Sequence, residues 1–454
     1  VVTRSRSANR KTNRGALGIW MNNVRVGTWS RTAADVDVFA YDLAWTNAER
    51  GRPLSLTLPF LPGNGEHRGT HVANWFENLL PDSAEIRSRL ARRFGVSSSA
   101  RQLLAEIGRD CVGAVQILPD DDAPVATTVL AADPMTTADV ARVLRGVTSS
   151  TALRLVHDRD DDFRISVAGA QEKTALLRKD GQWYRPRGTT PTTHILKLPL
   201  GLVGNMRYNL EHSIANEWLC VHLLGALGFD VAHVEMASFE DDVSTERALV
   251  VERFDRQWTD GERGLIRLPQ EDLCQATGTA PDRKYESDGG PGIRTIVPLL
   301  KRGVAPADDV RTLVLSQLAF WLLAAIDGHA KNFSLFLRRD GYLLTPIYDV
   351  LSAWPIIGVG PNHLPMRKAK LAMGVRCKNA HYEIDRILTR HWRCVAEQSE
   401  VPFSELVSLA ERVPGAIAQV STILPVDFPE QVWHAVTNGL RTNLDRFSRG
   451  MGVP

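Results

Sequence analysis

The segment Ile326-Asp327-Gly328-His329-Ala330-Lys331-Asn332 sets a carboxylate and a carboxamide five residues apart. A kinase catalytic loop has this separation between its base Asp and its metal-binding Asn. Phosphoryl transfer needs such a pair, because one group must orient or deprotonate the attacking hydroxyl while a nearby neutral oxygen helps hold magnesium against the phosphates. Asp349, in Tyr348-Asp349, lies twenty-two residues beyond Asp327 and suits a second metal ligand. Upstream, Lys197 sits on the apolar segment Thr193–Pro199, as a lysine that contacts nucleotide phosphates would. The helical stretch that follows carries Glu211 and Glu217, of which Glu217 is preferred as the carboxylate that orients Lys197. Singly, these residues read as helix caps or a surface lysine. Their order along one chain points to magnesium- and ATP-dependent phosphotransfer.

A phosphate-covering loop is sought before Lys197. Val167-Ala168-Gly169-Ala170-Gln171-Glu172-Lys173-Thr174 ends in Lys-Thr like a P-loop, but Glu172 stands where the second glycine belongs, so a Walker A site is rejected. What remains is a small-residue turn, Ala168-Gly169-Ala170, between strands Phe163–Val167 and Ala175–Leu177, whose backbone N–H groups suit phosphates. Farther on, Ala248–Arg256 is an apolar strand turning charged, and backbone groups at Glu252, Arg253 and Phe254 suit a connector that pairs with a base.

The elements that must position these residues follow from pattern and composition. The chain has 454 residues, enough for about three globular units. Its 44% hydrophobic and 23% charged residues are ordinary globular values. With 54 Lys+Arg against 52 Asp+Glu, there is no global basic field for nucleic acid or membrane, so such contacts must be local. The five cysteines are odd in number and never in a C-x-x-C pair, which suggests neither a disulfide framework nor a zinc site and fits a reducing cytoplasm. The longest nearly apolar stretch, Leu313–Ile326, is too short for a membrane span and reads as a buried helix ending at Asp327.

Residues 1–15 hold Arg4, Arg6, Arg10, Lys11 and Arg14 and read as a basic disordered arm. Residues 16–125 read as an α+β domain. It opens with a hairpin across Asn22-Asn23, continues with strands near Val36–Tyr41 and Leu54–Leu58, and has helices broken at Leu80-Pro81-Asp82-Ser83. Asp120–Asp133 reads as a linker, and residues 126–255 as a β-rich lobe with one helical stretch, Asn209–Leu227. Residues 256–454 read as helical, apart from the loop Ser287–Gly292 and a strand pair within Phe333–Ile347. The fold class is α+β, a two-lobed kinase-like fold with an N-terminal α/β-rich region and a mainly helical C-terminal lobe.

Several blocks together resemble the HipA serine/threonine kinase toxins of type II toxin–antitoxin systems: Ser166–Ala175, Pro191–Pro199, Val251–Arg256, Leu268–Asp272, Lys284–Gly292 and Asp327–Ser334, with Asn78–Ser83 and Glu106–Asp110 in the first domain. The resemblance implies a bacterial kinase that phosphorylates glutamyl-tRNA synthetase, arrests translation and growth, and acts as a corepressor with a small helix-turn-helix antitoxin dimer of the HipB type on operator DNA. It implies Asp327 as catalytic base and Asn332 and Asp349 as magnesium ligands. For ATP it implies Ala168, Gly169, Ala170, Gln171, Glu172, Lys173, Lys197, Glu252, Arg253, Phe254, His329, Ala330, Lys331 and Tyr348, with Ser166 autophosphorylated. A small-molecule or lipid-type kinase of related fold stays open, since D-x-H-x-x-N is nearer to such loops than to H-R-D, as does an idle corepressor scaffold.

Overall fold

The computed structural model describes residues 15–124, 130–148, 171–204, 207–259, 261 and 263–452. The basic arm through residue 14, the expected strand Phe163–Val167 with Ser166, and the turn Ala168-Gly169-Ala170 lie outside the described residues, as do residues 125–129 of the expected linker.

Leu17–Met21 and Val24–Arg31 form the expected hairpin, with Asn22 and Asn23 at φ 46° and 69°. Positive φ at both turn residues matches the right-handed twist of the strands, and Asn tolerates it. The hairpin belongs to a five-stranded antiparallel sheet in the order His67–Arg68, Asp37–Tyr41, Val24–Arg31, Leu17–Met21, Val115–Pro119. Helices Thr70–Glu77 and Ala100–Ile107 close its core, which includes the fully buried Trp29, Trp75 and Phe76. Pro81 separates helix Thr70–Glu77 from Ala84–Phe94, and the Ser83 hydroxyl caps the second by accepting from Ile86 N–H at 3.3 Å. Leu54–Leu58 is not a strand. It makes a tight turn closed by Ser55 and Leu58, because Leu56 N–H is drawn to Glu271 of another lobe.

A six-stranded antiparallel sheet follows, ordered Val234–Glu240, Thr245–Glu252, His194–Lys197, Lys173–Lys179, Gln182–Pro186, Ala132–Met135. Helix Thr137–Thr148 packs on one face around Leu144, Leu176 and Val250. The helix expected over Asn209–Leu227 is shorter, Ser213–Ala226. Tyr208–Leu210 pairs instead with Gly201–Val203 as a small hairpin.

The C-terminal lobe is built on helix Pro306–Leu323, which is buried on nearly every face by helices Thr389–Ser399, Phe403–Ser421 and Glu430–Arg449. This helix stops at Leu323, earlier than expected, because Ala324 turns left-handed at φ 48°. Asp327 therefore sits on a loop beyond the helix. Strands also interrupt the expected helical run. Arg256–Trp258 pairs with Leu265–Arg267, Lys370–Arg376 with Ala380–Glu383, and Gln270–Asp272 joins the hairpin Ser334–Leu337/Tyr342–Leu344. These strands are three to seven residues long, too short to show alternation against flanking helices. Cys377 and Cys394 are joined, contrary to the unpaired cysteines expected, because the turn after Lys370–Arg376 abuts helix Thr389–Ser399 and brings their Cα atoms to 5.2 Å. Cys111, Cys220 and Cys274 are free and buried. Among the described residues no helix is long and apolar enough to cross a membrane.

Candidate active site

Lys197 is the centre of the cleft between the β-rich and helical lobes. Its strand is flanked by Lys173–Lys179 and Thr245–Glu252, so the lysine is buried and its position is fixed by two ladders. Its Nζ donates to Glu217 Oε1 and to Asp349 Oδ1, both at 2.7 Å. Burial alone would lower its pKa, but the two carboxylates hold it charged and well above the usual lysine range. Glu217 is pushed up to about 7 by burial against the pull of Lys197, with the like charge of Asp349 adding to the rise. Asp349, whose burial would raise it, is held well below the carboxylate range by Lys197 and Lys173. It adopts φ 60°, a left-handed conformation that Asp accepts more readily than most residues. Glu211 is not part of this arrangement, since it precedes the helix on an exposed turn.

On the loop after helix Pro306–Leu323, the Asp327 carbonyl accepts from His329 N–H and from Asn332 Nδ2, each at 2.8 Å. A further bond, from Asn332 N–H to the His329 carbonyl at 2.9 Å, closes the single turn Ala330–Asn332, so the Asn332 carboxamide is held by its Nδ2 and its oxygen is left for another partner. Asn332 Nδ2 also lies 3.4 Å from the Asp349 carbonyl, which ties the two candidate metal ligands together. Asp349 Oδ1 is engaged by Lys197, leaving Oδ2. One carboxylate oxygen and one amide oxygen are hard donors that suit magnesium, an ion that takes few protein ligands and completes its shell with phosphate and water. Among the described residues no group of three or more His, Cys, Asp or Glu forms a self-sufficient metal cage.

The same cleft is lined by Lys173, Ile195, Val251, Glu252, Arg253, Phe254, Asp327, His329, Lys331 and Tyr348. Phe254 and Tyr348 form an aromatic wall, with ring centroids 5.6 Å apart, and Tyr348 is fixed by bonds to the Lys331 carbonyl and Ser334 Oγ. Ile195, Ala232 and Val251 also line the cleft and add to its apolar surface. Burial brings Lys173, directly across the ladder from Lys197, down to about 8.

Several residues expected to contact a nucleotide are engaged by other partners. Glu252 N–H is engaged by the His233 carbonyl and Arg253 N–H by Thr193, so neither is a free donor for a base. The Arg253 guanidinium turns away into a buried cluster with Asp110, Asp255, Arg256 and Arg267. Gln171 donates to the Leu198 carbonyl, Glu172 pairs with Arg89 of the first domain, and none of Gln171, Glu172 and Ala330 lines the cleft.

The first domain reaches the cleft through Asp82, which accepts from Lys331 at 2.6 Å and Lys284 at 2.8 Å. Burial would raise the Asp82 pKa, but the two ammonium groups bring it down to about 2. Tyr285 donates to Asp327 Oδ1. No role for Asp82, Lys284 or Tyr285 follows from spacing alone, because Asp82 lies about two hundred residues from its partners.

Two family models match the chain, the HipA N-terminal domain over residues 17–118 and the HipA-like C-terminal domain over residues 165–421. Among curated proteins, the "Putative kinase Y4mE" of Sinorhizobium fredii is 31% identical over 410 residues, covering 89% of this chain and 91% of the relative. The serine/threonine-protein kinase toxin HipA of Shewanella oneidensis is 27% identical over 436 residues, 90% of each chain. A solved complex of HipA, HipB and operator DNA from S. oneidensis contains a chain that superposes with a TM-score of 0.75 at 26% identity, covering 96% of this chain and 97% of that one. The chain belongs to the HipA family of kinase toxins.

Proposed function

We propose that this protein is an ATP- and magnesium-dependent serine/threonine kinase that phosphorylates glutamyl-tRNA synthetase and works with a helix-turn-helix antitoxin dimer. The observation that carries the reading is Lys197 held at 2.7 Å by Glu217 from the β-rich lobe and at 2.7 Å by Asp349 from the helical lobe. Such a bridge sets a fixed cation and a metal-ready carboxylate where two lobes meet. Asp349 and Asn332 would hold magnesium, which when bound neutralises charge on the phosphates. Lys197 orients them. Asp327 accepts the proton of the incoming hydroxyl, the acceptor oxygen bonds to the γ-phosphorus, and the bond to the β-phosphate oxygen breaks.

Family membership supports the synthetase as acceptor, Ser166 as an autophosphorylation site and an antitoxin of the HipB type. The S. oneidensis relative is assembled with HipB on operator DNA. On this reading the antitoxin supplies most DNA affinity, since the chain's net charge is only +2. Of the local cations Arg367, Lys368, Lys370, Arg376 and Lys378, Lys370 pairs with Glu383 and Arg376 with Glu286, which weakens that surface for phosphate. Incubation of the purified protein with radiolabelled ATP, the synthetase, a lipid panel and sugars tests the reading. Label is expected on the synthetase, and Asp327→Ala is expected to nearly abolish transfer while ATP affinity persists. Wild-type turnover by Asp327→Ala would overturn the site. Label on lipid or sugar alone would move the activity to a small-molecule kinase, and label on nothing would leave a corepressor scaffold.

A further inference from the structure

Asp327 lies on a loop and its side chain is 56% exposed, so packing does little to fix where its two oxygens point. Among the described residues one hydrogen bond reaches that carboxylate, from the Tyr285 phenol to Oδ1. His329 Nε2 is 3.7 Å from the same oxygen, beyond hydrogen-bond range.

Tyr285 is itself held from several directions. Its carbonyl accepts from Asp288 N–H at 3.1 Å and Gly290 N–H at 2.9 Å, and its ring stands edge-on to His329 at 5.1 Å. Its neighbours are tied to different elements. Lys284 donates to Asp82 of the first domain at 2.8 Å, while Glu286 accepts from Gly374 N–H at 2.6 Å and Arg376 at 3.1 Å. The loop that follows packs tightly at two glycines: a Cβ on Gly290 would meet the Arg283 carbonyl at 2.0 Å, and one on Gly292 the Glu286 carboxyl carbon at 2.1 Å. Three consecutive side chains therefore anchor to the first domain, the catalytic loop and the hairpin Lys370–Glu383. This fixes the phenol rather than letting it swing.

We propose that Tyr285 is a positioning residue for phosphotransfer, its phenol holding one oxygen of Asp327 so that the other is presented to the acceptor hydroxyl. The inference rests on reading Asp327 as the base. Burial and the Asp327 charge keep the phenol protonated, so it remains a donor throughout. The proton that moves is the acceptor's, which passes to the free oxygen of Asp327, while the phenol O–H stays intact.

The test uses the full chain with magnesium, ATP and the labelled acceptor. Tyr285→Phe removes the hydroxyl and keeps the ring against His329. Its turnover is expected to fall roughly 10- to 100-fold, the loss typical of a misplaced catalytic group, with the KM for ATP and the thermal midpoint unchanged. In an Asp327→Asn background the same substitution is expected to cost nothing more in single-turnover measurements, because the tyrosine acts through the carboxylate. Wild-type turnover by Tyr285→Phe, or an undiminished further loss in the Asp327→Asn background, overturns the positioning role. If Asp327→Asn itself turns over normally, the base assignment has failed and the inference falls with it.

Discussion

Two ion clusters line the cleft, and they are charge inverses of each other. In one, the ammonium of Lys197 stands between two carboxylates, Glu217 and Asp349; in the other, the carboxylate of Asp82 stands between two ammonium groups, Lys331 and Lys284. The first carries a formal surplus of one negative charge and the second of one positive charge. A third cluster, in which Asp110 and Asp255 meet Arg253, Arg256 and Arg267, is also unbalanced, but every side chain in it is at most 4% exposed. Imbalance alone is therefore no sign of a site. The two cleft clusters differ in that each keeps a member within reach of a ligand, Asp349 at 28% and Lys284 at 15% exposure, which suits the proposed divalent cation and phosphate oxygens.

Removing the surplus negative charge gives the largest expected effect. Asp349→Ala leaves Lys197 on Glu217 alone and takes away one of the two oxygen donors proposed for magnesium. Transfer is expected to fall on the order of a hundredfold to a thousandfold, the range for loss of a group acting on developing charge. Unlike Asp327→Ala, this variant is expected to lose the magnesium dependence of ATP affinity. Calorimetric titration with ATP at several magnesium concentrations checks it, and an unchanged dependence would remove Asp349 from the metal site.

The inverse cluster is expected to show itself in stability. Asp82→Asn leaves Lys331, with a side chain 4% exposed, beside a neutral partner. Breaking a buried pair from one side costs about 3–5 kcal/mol, and the residual amide contact puts this variant near the low end. The sign with pH is fixed by the carboxylate being held at about 2, below its usual 3.8. Its contribution is fully present above about pH 4 and is lost as pH falls toward 2. Denaturant unfolding of both proteins should show a constant gap from pH 8 to 5 that closes on acidification. A gap undiminished at pH 2.5 would mean that packing, not charge, joins Asp82 to the lysines.

The contrast also shows what a sequence discloses. Asp327, Asn332 and Asp349 were legible because they lie within one short stretch whose spacing is itself chemical, and Lys197 because a lone cation on an apolar strand is conspicuous. Asp82 and Tyr285 were not. Their partners lie across domain boundaries, and neither residue breaks a local pattern: Asp82 follows a proline between helices, and Tyr285 sits in a polar loop. The β-rich first domain and the long buried helix could be read from periodicity, whereas strands such as Gln270–Asp272 exist only because Ser334–Leu337 offers them a ladder. The side-chain partners of Arg253 were hidden for a related reason, since a charged residue at a strand end gives no sign that Asp110, more than a hundred residues earlier, will draw its guanidinium inward.

The smallest expected effect separates the two lysines on Asp82. Each bonds to a different oxygen of one carboxylate, but the Lys284 side chain is 15% exposed and Lys331 4%, and Lys331 also donates to the Asn78 carbonyl at 3.3 Å. Removing Lys284 leaves Asp82 with its better-buried partner, so Lys284→Met should cost at most about 1 kcal/mol, as for a pair that water already screens. Lys331→Met takes the donor from Asp82 Oδ1 and from a buried carbonyl while Lys284 keeps Oδ2, and should cost about 2 kcal/mol, two acceptors at the lower end of the unsatisfied-polar range. Their effects on nucleotide binding should not follow that order. If the surplus positive charge serves the phosphates, either substitution removes the same single charge and should weaken ATP binding to a similar degree. ADP, lacking the γ-phosphate, should be affected less. Titrations of ATP and ADP against the two variants decide this: equal losses for ATP and ADP would assign the cluster to domain docking alone and end the symmetry between the two ends of the cleft.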